Sequence, residues 1–170
     1  MVASAEIRVV ALVAEKNLDE AAIFGGCVSL DSIFIPVGVT NVQSGIFQGC
    51  TALEHIAVDP ENKVCDSREN CNAIVETASN TLVAGCRNTI IVDSVNRIGE
   101  LAFSGMTLKE IRIPASVISI DSTAFMRCKS FSSISVDERN TMYNSRGNCN
   151  AIIETASNTL INEQIKNRRF

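Results

Sequence analysis

The chain has no tryptophan, one tyrosine and one histidine, and aromatic residues make up only 5% of it. One domain of 170 residues must then fill its core with Val, Ile, Leu, Ala and small side chains instead of rings. The single histidine, His55, leaves little for acid–base chemistry. No Ser, Thr or Cys stands in a motif that makes a nucleophile, and a lone imidazole lacks the orienting group and oxyanion donors of a triad. No phosphate-cradling glycine loop and no convergent His/Asp/Glu/Ser set occurs either, so no enzyme, no catalytic residue and no cofactor is expected. Positive charge is scarce: 15 Lys and Arg against 19 Asp and Glu give a net charge of -4. Apart from the closing pair Arg168-Arg169 there is no basic cluster to neutralise phosphates, which argues against a nucleic-acid partner. Long apolar runs are missing too. Val9 to Ala14 falls far short of the roughly 20 residues of a membrane-inserting helix. That run follows Glu6 and Arg8 with no small-residue cleavage site, so no export signal is visible, a statement that does not reach a longer precursor.

What the chain does have is repetition. Residues 67–82, SRENCNAIVETASNTL, return as SRGNCNAIIETASNTL at 145–160, with fourteen of sixteen positions identical at an offset of 78. The offset also maps Phe47 to Phe125, Cys50 to Cys128 and Val58 to Val136. Within this duplication lies a shorter unit. Aligning on Phe24, Phe47, Phe103 and Phe125 gives small-Phe-x-Gly-Cys-x-x-Leu-x-x-Ile-x-Ile, preceded in the last three copies by Val-x-x-Val/Ile. The direct spacings, 23 residues from Phe24 to Phe47 and 22 from Phe103 to Phe125, fall in the range of leucine-rich repeats.

A unit this short cannot bury its apolar side alone. Stacking successive turns about 4.8 Å apart aligns each Leu, Ile and Phe with its equivalent in the next turn. The expected architecture is a mainly β leucine-rich repeat solenoid: short parallel strands stacked in a right-handed superhelix, β-hairpin inserts and little helix. As one domain over 1–170 it divides into an N-terminal cap or degenerate repeat (1–20), two repeats (21–58), a loop and hairpin insert (59–90), two more repeats (91–136), a second loop and hairpin (137–161) and a charged C-terminal cap (162–170). The hairpins are expected at Ala73 to Glu76 with Thr81 to Ala84, and at Ala151 to Glu154 with Thr159 to Ile161. The Asn/Asp/Ser-rich stretches before them, 59–72 and 137–150, read as surface loops. Ile7 to Ala14 is apolar on both faces, as a buried strand or a short helix would be.

The Phe ladder carries a second column: Cys27, Cys50, Met106 and Cys128. Met in a Cys position indicates a demand for a soft apolar side chain, not a thiolate, so these sulfurs are expected in the core, slow to react and free of metal. Cys65, Cys71 and Cys86 do not have zinc-site spacing, and only Cys71 recurs, as Cys149. Seven cysteines is an odd count, which by itself suggests a reducing compartment. Asp59 to Asn62 and Asp137 to Asn140 offer oxygen ligands, but Arg139 stands among the second set, and an Asx turn is the expected role.

The repeat of residues 22–36, Ala-Ile-Phe-Gly-Gly-Cys-Val-Ser-Leu-Asp-Ser-Ile-Phe-Ile-Pro, resembles the BspA-like leucine-rich repeat of bacterial surface proteins. The hairpin insert is similar to one that alternates with repeats in that family, and the resemblance runs over roughly 18–161. Met106 for Cys, Phe131 for Leu and Cys65 opposite Tyr143 are local departures. The resemblance implies the solenoid fold, a cell-surface or secreted location, with the cytoplasm left open by the absent signal, and adhesion to host proteins.

A non-enzymatic binding module is therefore expected, acting through the concave face of the array. The Leu-x-x-Ile-x-Ile register turns outward Ser32 and Phe34, His55 and Ala57, Glu110 and Arg112, and Ser133 and Ser135, with Phe34 and Arg112 as anchors. The expected partner is a protein, such as a host extracellular protein. The alternative is a structural spacer or an oligomerising segment that pairs with another copy through the solenoid ends.

Overall fold

The structure, a computed structural model, describes residues 9–11, 17–18, 24–128, 132–148 and 150–161. Four strands carry the alternation seen in the sequence: β3 (Ser32–Ile35), β5 (His55–Val58), β10 (Glu110–Ile113) and β12 (Ser133–Val136). Along each, one set of side chains is buried (Ile33 and Ile35, Ile56 and Val58, Ile111 and Ile113, Ile134), and the residues between are more exposed. That is the pattern of a strand with one wet face. β3 lies between β1 (Val9–Ala11) and β5 in a parallel sheet, with Ile33 opposite Ile56 and Ile35 opposite Val58. β10 and β12 form a second parallel pair, with Ile111 opposite Ile134 and Ile113 opposite Val136. The strand alternative for Ile7 to Ala14 is thus realised at Val9–Ala11.

A second set of short strands ends on the last residue of the Val-x-x-Val/Ile motif at β4 (Asn41–Val42), β9 (Arg97–Ile98) and β11 (Ser119–Ile120); β9 pairs parallel with β11, and β4 pairs parallel with β2 (Asn17–Leu18), which lacks the motif. Phe47, Phe103 and Phe125 are buried and Phe24 packs half-buried at the outer end of the column. Phe24 and Phe47 have centroids 5.7 Å apart, and Phe103 and Phe125 stack at 5.2 Å with rings 8° from parallel. Cys50, Met106 and Cys128 form the sulfur column at 1% exposure or less. Each thiol also has a partner: Cys50 Sγ donates to the Phe24 carbonyl at 2.8 Å and Cys128 Sγ to that of Phe103 at 2.9 Å. Burial accordingly pushes the Cys50 thiol up to about 11 and Cys128 up to about 12.

Cys27 departs from expectation. It is exposed, not part of the core column. It belongs to the outermost described turn of the Phe ladder, and no described residue stacks on its far side as Cys27's own turn does on Cys50. Val28 beside it is 61% exposed. A maleimide should therefore modify Cys27 at once in the native protein, and Cys50, Cys65, Cys71, Cys86 and Cys128 far more slowly, because they are buried and their thiolates disfavoured. Mass spectrometry of labelled peptides with and without Cys27→Ser checks this, and rapid labelling at Cys50 or Cys128 would contradict the packing.

The glycine of the Phe-x-Gly motif has a stacking reason. Gly26, Gly49 and Gly105 all take positive φ, between 71° and 76°, and lie one above another. The Gly26 N–H donates to the Gln48 carbonyl at 2.8 Å, Gly49 to Ser104 at 3.1 Å and Gly105 to Met126 at 2.9 Å. A Cβ on Gly105 would stand 2.9 Å from the Gly49 nitrogen, so a side chain there cannot fit without parting the turns.

The first insert is larger than a hairpin. β7 (Ala73–Glu76) and β8 (Thr81–Gly85) pair antiparallel as expected, with a bulge at Ile74/Val75. A further strand, β6 (Cys65–Asp66), pairs antiparallel with β7 inside the stretch expected to be loop. β8 then pairs parallel with β9, so the meander continues into the second strand set as β6-β7-β8-β9-β11. The second insert pairs β13 (Tyr143–Asn144) with β14 (Ile153–Glu154), and the expected hairpin is reduced to one bridge, Ile153 to Leu160. Each insert also makes a single 3-10 turn, Arg68–Asn70 and Arg146–Asn148. The caps expected at 162–170 and over most of 1–20, and Phe131 and Cys149, lie outside the described residues.

Within the supposed surface loops Asn62 and Asn140 are buried. Asn62 Nδ2 donates to the carbonyls of Pro36 (3.0 Å) and Val39 (2.9 Å) in the preceding turn, and its Oδ1 accepts from the N–H groups of Val64 (2.9 Å) and Cys65 (3.1 Å). Asn140 repeats this with Pro114 (2.8 Å), Val117 (3.0 Å), Met142 (2.9 Å) and Tyr143 (2.8 Å). Each amide ties its insert to the turn before it. The exchange of Cys65 for Tyr143 also has a physical reason: the Tyr143 hydroxyl accepts the Ile120 N–H at 2.8 Å, at the edge strand of its sheet.

Candidate functional site

The eight outward positions are not on one sheet. Ser32, Phe34, His55 and Ala57 belong to the β1-β3-β5 sheet, with Ser32 opposite His55 and Phe34 opposite Ala57. Glu110, Arg112, Ser133 and Ser135 belong to β10–β12, with Glu110 opposite Ser133 and Arg112 opposite Ser135. β5 and β10 do not pair. His55, Ala57, Glu110, Arg112, Ser133 and Ser135 are exposed, whereas Ser32 and Phe34 are half-buried. The Ser32 hydroxyl donates to Asp31 at 2.8 Å.

The gap between the sheets follows from how the insert returns to the array. At Gly85 the chain cuts a corner: its N–H donates to the Ala102 carbonyl at 2.9 Å, and Phe103 occupies the space where its side chain would be. The chain then turns inward. Cys86 Sγ lies within reach of the carbonyls of Glu54 (3.2 Å) and Asn72 (3.3 Å), one of which takes its single proton, and the Arg87 N–H donates to the carbonyl of Leu53 (3.0 Å). Arg87 also pairs with Glu54 at 3.1 Å. Residues 89–93 then pass beside β10. On the opposite side of the array Gly49 bonds directly to the turn of Ser104, so the insert is bypassed there.

The result is two open bays separated by the insert. The first, about 480 Å³, has His55, Ala57 and Asp59 on one wall and Asp66, Arg68 and Asn72 on the other. The second, about 650 Å³, is lined by Glu110, Arg112, Ser133 and Ser135 together with Glu69, residues 89–93, Asp137 and Arg139. Four of the expected contact residues thus converge in one cleft. Sequence reasoning missed its far wall, because residues 89–90 were assigned to the insert and 91–93 to the start of the next repeat with no surface role, and it missed Asp137 and Arg139 as surface determinants, having read them only as turn residues.

Asp137 organises this second bay. Its side chain is 7% exposed, and it takes Arg112 at 2.7 Å and Arg139 at 3.0 Å, both largely exposed guanidiniums. Its Oδ1 also accepts the Arg139 N–H at 2.9 Å, the expected Asx turn, which Asp59 makes with Glu61 at the same distance. The Arg139 side chain first, then its N–H, and then Arg112 hold the Asp137 carboxyl well below the usual carboxylate range. A carboxyl depressed in the folded state contributes stability that is present above its unfolded value, near about pH 4, and is lost as the pH falls below that. Asp137→Asn should therefore lower the melting temperature at neutral pH and flatten its decline between about pH 4 and pH 2. Equal acid slopes for the two proteins would show that the carboxylate is not so held.

Among the described residues no group of three His, Cys, Asp or Glu side chains is placed to hold a metal ion, and no helix is long and apolar enough to cross a membrane.

Stacked parallel coils with a sulfur and Phe interior and shallow outer clefts define a leucine-rich repeat β-solenoid. The BspA type leucine rich repeat profile matches six copies over residues 16–75 and 81–170, and the chain belongs to that family. Among solved structures it is similar to a leucine-rich repeat protein of Eubacterium ventriosum, at 21% identity and a TM-score of 0.46 over 62% of this chain and 36% of that one. A leucine-rich repeat protein of Bacteroides ovatus gives 26% identity and a TM-score of 0.45 over 75% and 33%. A leucine rich cell surface protein of Faecalibacterium prausnitzii gives 22% and 0.41 over 77% and 44%. The chain thus spans between a third and less than half of these proteins. No curated protein matches it.

Proposed function

We propose that the chain is a non-enzymatic recognition module that binds a protein partner through its concave strands, chiefly the bay over β10 and β12. One observation carries this reading. At the offset of 78, the inward residues of the concave strands are identical in the two copies: Ile33 and Ile111, Ile35 and Ile113, Ile56 and Ile134, Val58 and Val136. All four outward positions differ: Ser32 and Glu110, Phe34 and Arg112, His55 and Ser133, Ala57 and Ser135. Exposure alone does not account for that, because the exposed hairpin tips, Thr77-Ala78-Ser79 and Thr155-Ala156-Ser157, are the same in both. A fixed scaffold with divergent concave side chains is what partner-specific contact requires. Family membership supports a surface or secreted location and an adhesive role toward an extracellular host protein.

The test is a binding screen against immobilised extracellular-matrix proteins, serum proteins and glycans. For any protein bound, Phe34→Ala with Arg112→Ala should weaken affinity by about tenfold or more, as loss of an aromatic and an Arg anchor does. Unchanged affinity would move the site off the concave strands. A spacer or oligomerising segment is the second reading, motivated by the exposure of Cys27 and Val28 in the outermost described turn of the Phe ladder. A concentration-dependent dimer in sedimentation, with no partner in the screen, would select it.

A further inference from the structure

We infer that the bay over β10 and β12 takes an extended peptide segment bearing Lys or Arg next to an aliphatic residue; this rests on the recognition role proposed above. The charge of the bay carries the inference. Four carboxylates line it, from Glu69, Asp93, Glu110 and Asp137, against the two guanidiniums of Arg112 and Arg139. Both guanidiniums are already engaged by Asp137, at 2.7 Å and 3.0 Å. Asp137 offsets one of these two positive charges, which leaves three further carboxylates against one guanidinium and an excess of two negative charges in the bay. Asp93 and Glu110 are exposed and make no ion pair among the described residues; Asp93 lies near enough to Arg139 to attract it, and the excess charge of the bay stays negative.

The apolar half of the requirement comes from the wall. Ile90 is 63% exposed at the bay, the most exposed of the large hydrophobic side chains among the described residues. Its N–H is committed to the Cys71 carbonyl at 3.0 Å, so the backbone that presents it is fixed to the insert. Glu69, on the 3-10 turn of that insert, accepts a hydrogen bond from Ser94 at 3.2 Å and ties the two ends of the wall together. A partner side chain with an aliphatic stem and a cationic head could cover Ile90 and reach Asp93 or Glu110 in one arrangement. The bay is open and shallow, which suits a peptide strand and not an enclosed small molecule.

The experiment uses fluorescence anisotropy with three labelled peptides of about nine residues, each with a central Leu pair flanked by Lys, by Glu or by Ser. The Lys peptide should bind the wild-type chain about tenfold more tightly than the other two, and more weakly as salt is raised. Asp93→Lys with Glu110→Lys should reverse the order in favour of the Glu peptide. Ser135→Trp, or Ser133→Trp should the first variant fail to fold, fills the bay and should abolish binding; melting temperatures verify folding. If the Glu peptide binds the wild type as well as the Lys peptide and Ser135→Trp blocks both, the bay is a site but the basic partner is wrong. If the Lys peptide binds and Ser135→Trp leaves it unaffected, the bay is not the site, and the recognition role assigned to it falls as well. If no peptide binds, the inference is overturned and the partner screen alone decides the reading beneath it.

Discussion

Replacing Asn140 by Ala should lower the free energy of unfolding by about 3 kcal/mol, measured by urea denaturation at neutral pH. The amide makes four hydrogen bonds, two given to the carbonyls of Pro114 and Val117 and two taken from the N–H groups of Met142 and Tyr143. Truncation leaves three backbone groups of a buried junction without partners, since the Pro114 carbonyl keeps the Val117 N–H at 3.3 Å, and an unpartnered buried group costs roughly 1–3 kcal/mol where water cannot replace the lost bond. The sum stays below three full penalties because relaxation admits some water. Asn140→Asp is the sharper variant. It keeps the shape but turns an oxygen toward two carbonyl oxygens, so the carboxyl favours its protonated form and stability should recover as the pH falls. Asn62→Ala should behave like Asn140→Ala, since its partners occupy equivalent positions. A loss below about 1 kcal/mol in both would mean that these amides do not tie the inserts down.

The second large effect is expected at Gly85. A Cβ there would lie 2.2 Å from Phe103 Cε1, 2.7 Å from Cζ and 2.8 Å from Cδ1. The ring cannot retreat, because Phe103 is fully buried and stacked on Phe125 at 5.2 Å. Gly85→Ala should cost about 3 kcal/mol or prevent folding, the upper range for overpacking. The check is a double variant. Phe103→Leu removes Cε1 and Cζ, the two closest atoms, and leaves a shorter side chain free to turn its Cδ atoms away, so Gly85→Ala should cost much less in that background than in the wild type. Additive losses would show that the clash is relieved by backbone movement and that Gly85 does not set the corner.

Both effects explain what could be read from the sequence and what could not. The inward ladder was legible because each Ile, Leu and Phe recurs at the repeat spacing and does the same work in every turn. The parallel strands, the β7–β8 hairpin and the Asx turns followed from that periodicity and from turn chemistry. Asn62 and Asn140 were not legible: a run rich in Asn, Asp and Ser reads as solvated loop, and only the fold shows carbonyls about two dozen residues upstream waiting for an amide. β6 is two residues long, too short for any alternation to register. Cys27 follows the motif perfectly but lies in the outermost described turn of the Phe ladder, where a motif position does not guarantee cover. The outward residues alternate with buried ones as the register implies, yet their division between two sheets depends on Gly85, whose meaning lies in a ring 18 residues away.

The insert thickens the array on one side only. The flank that carries β5 and β10 gains the insert beside β5 and residues 89–93 beside β10, while across the molecule Gly49 bonds directly to the turn of Gly105. That extra material sets the β1-β3-β5 sheet and the β10–β12 pair apart, so each presents its outward residues as a separate face. In a longer assembly of the same plan, every insert would interrupt the outward sheet again, so the number of separate faces would be set by the count of 78-residue modules and not by the count of single coils. Gaining a whole module would add a face, whereas gaining one coil would only widen an existing one.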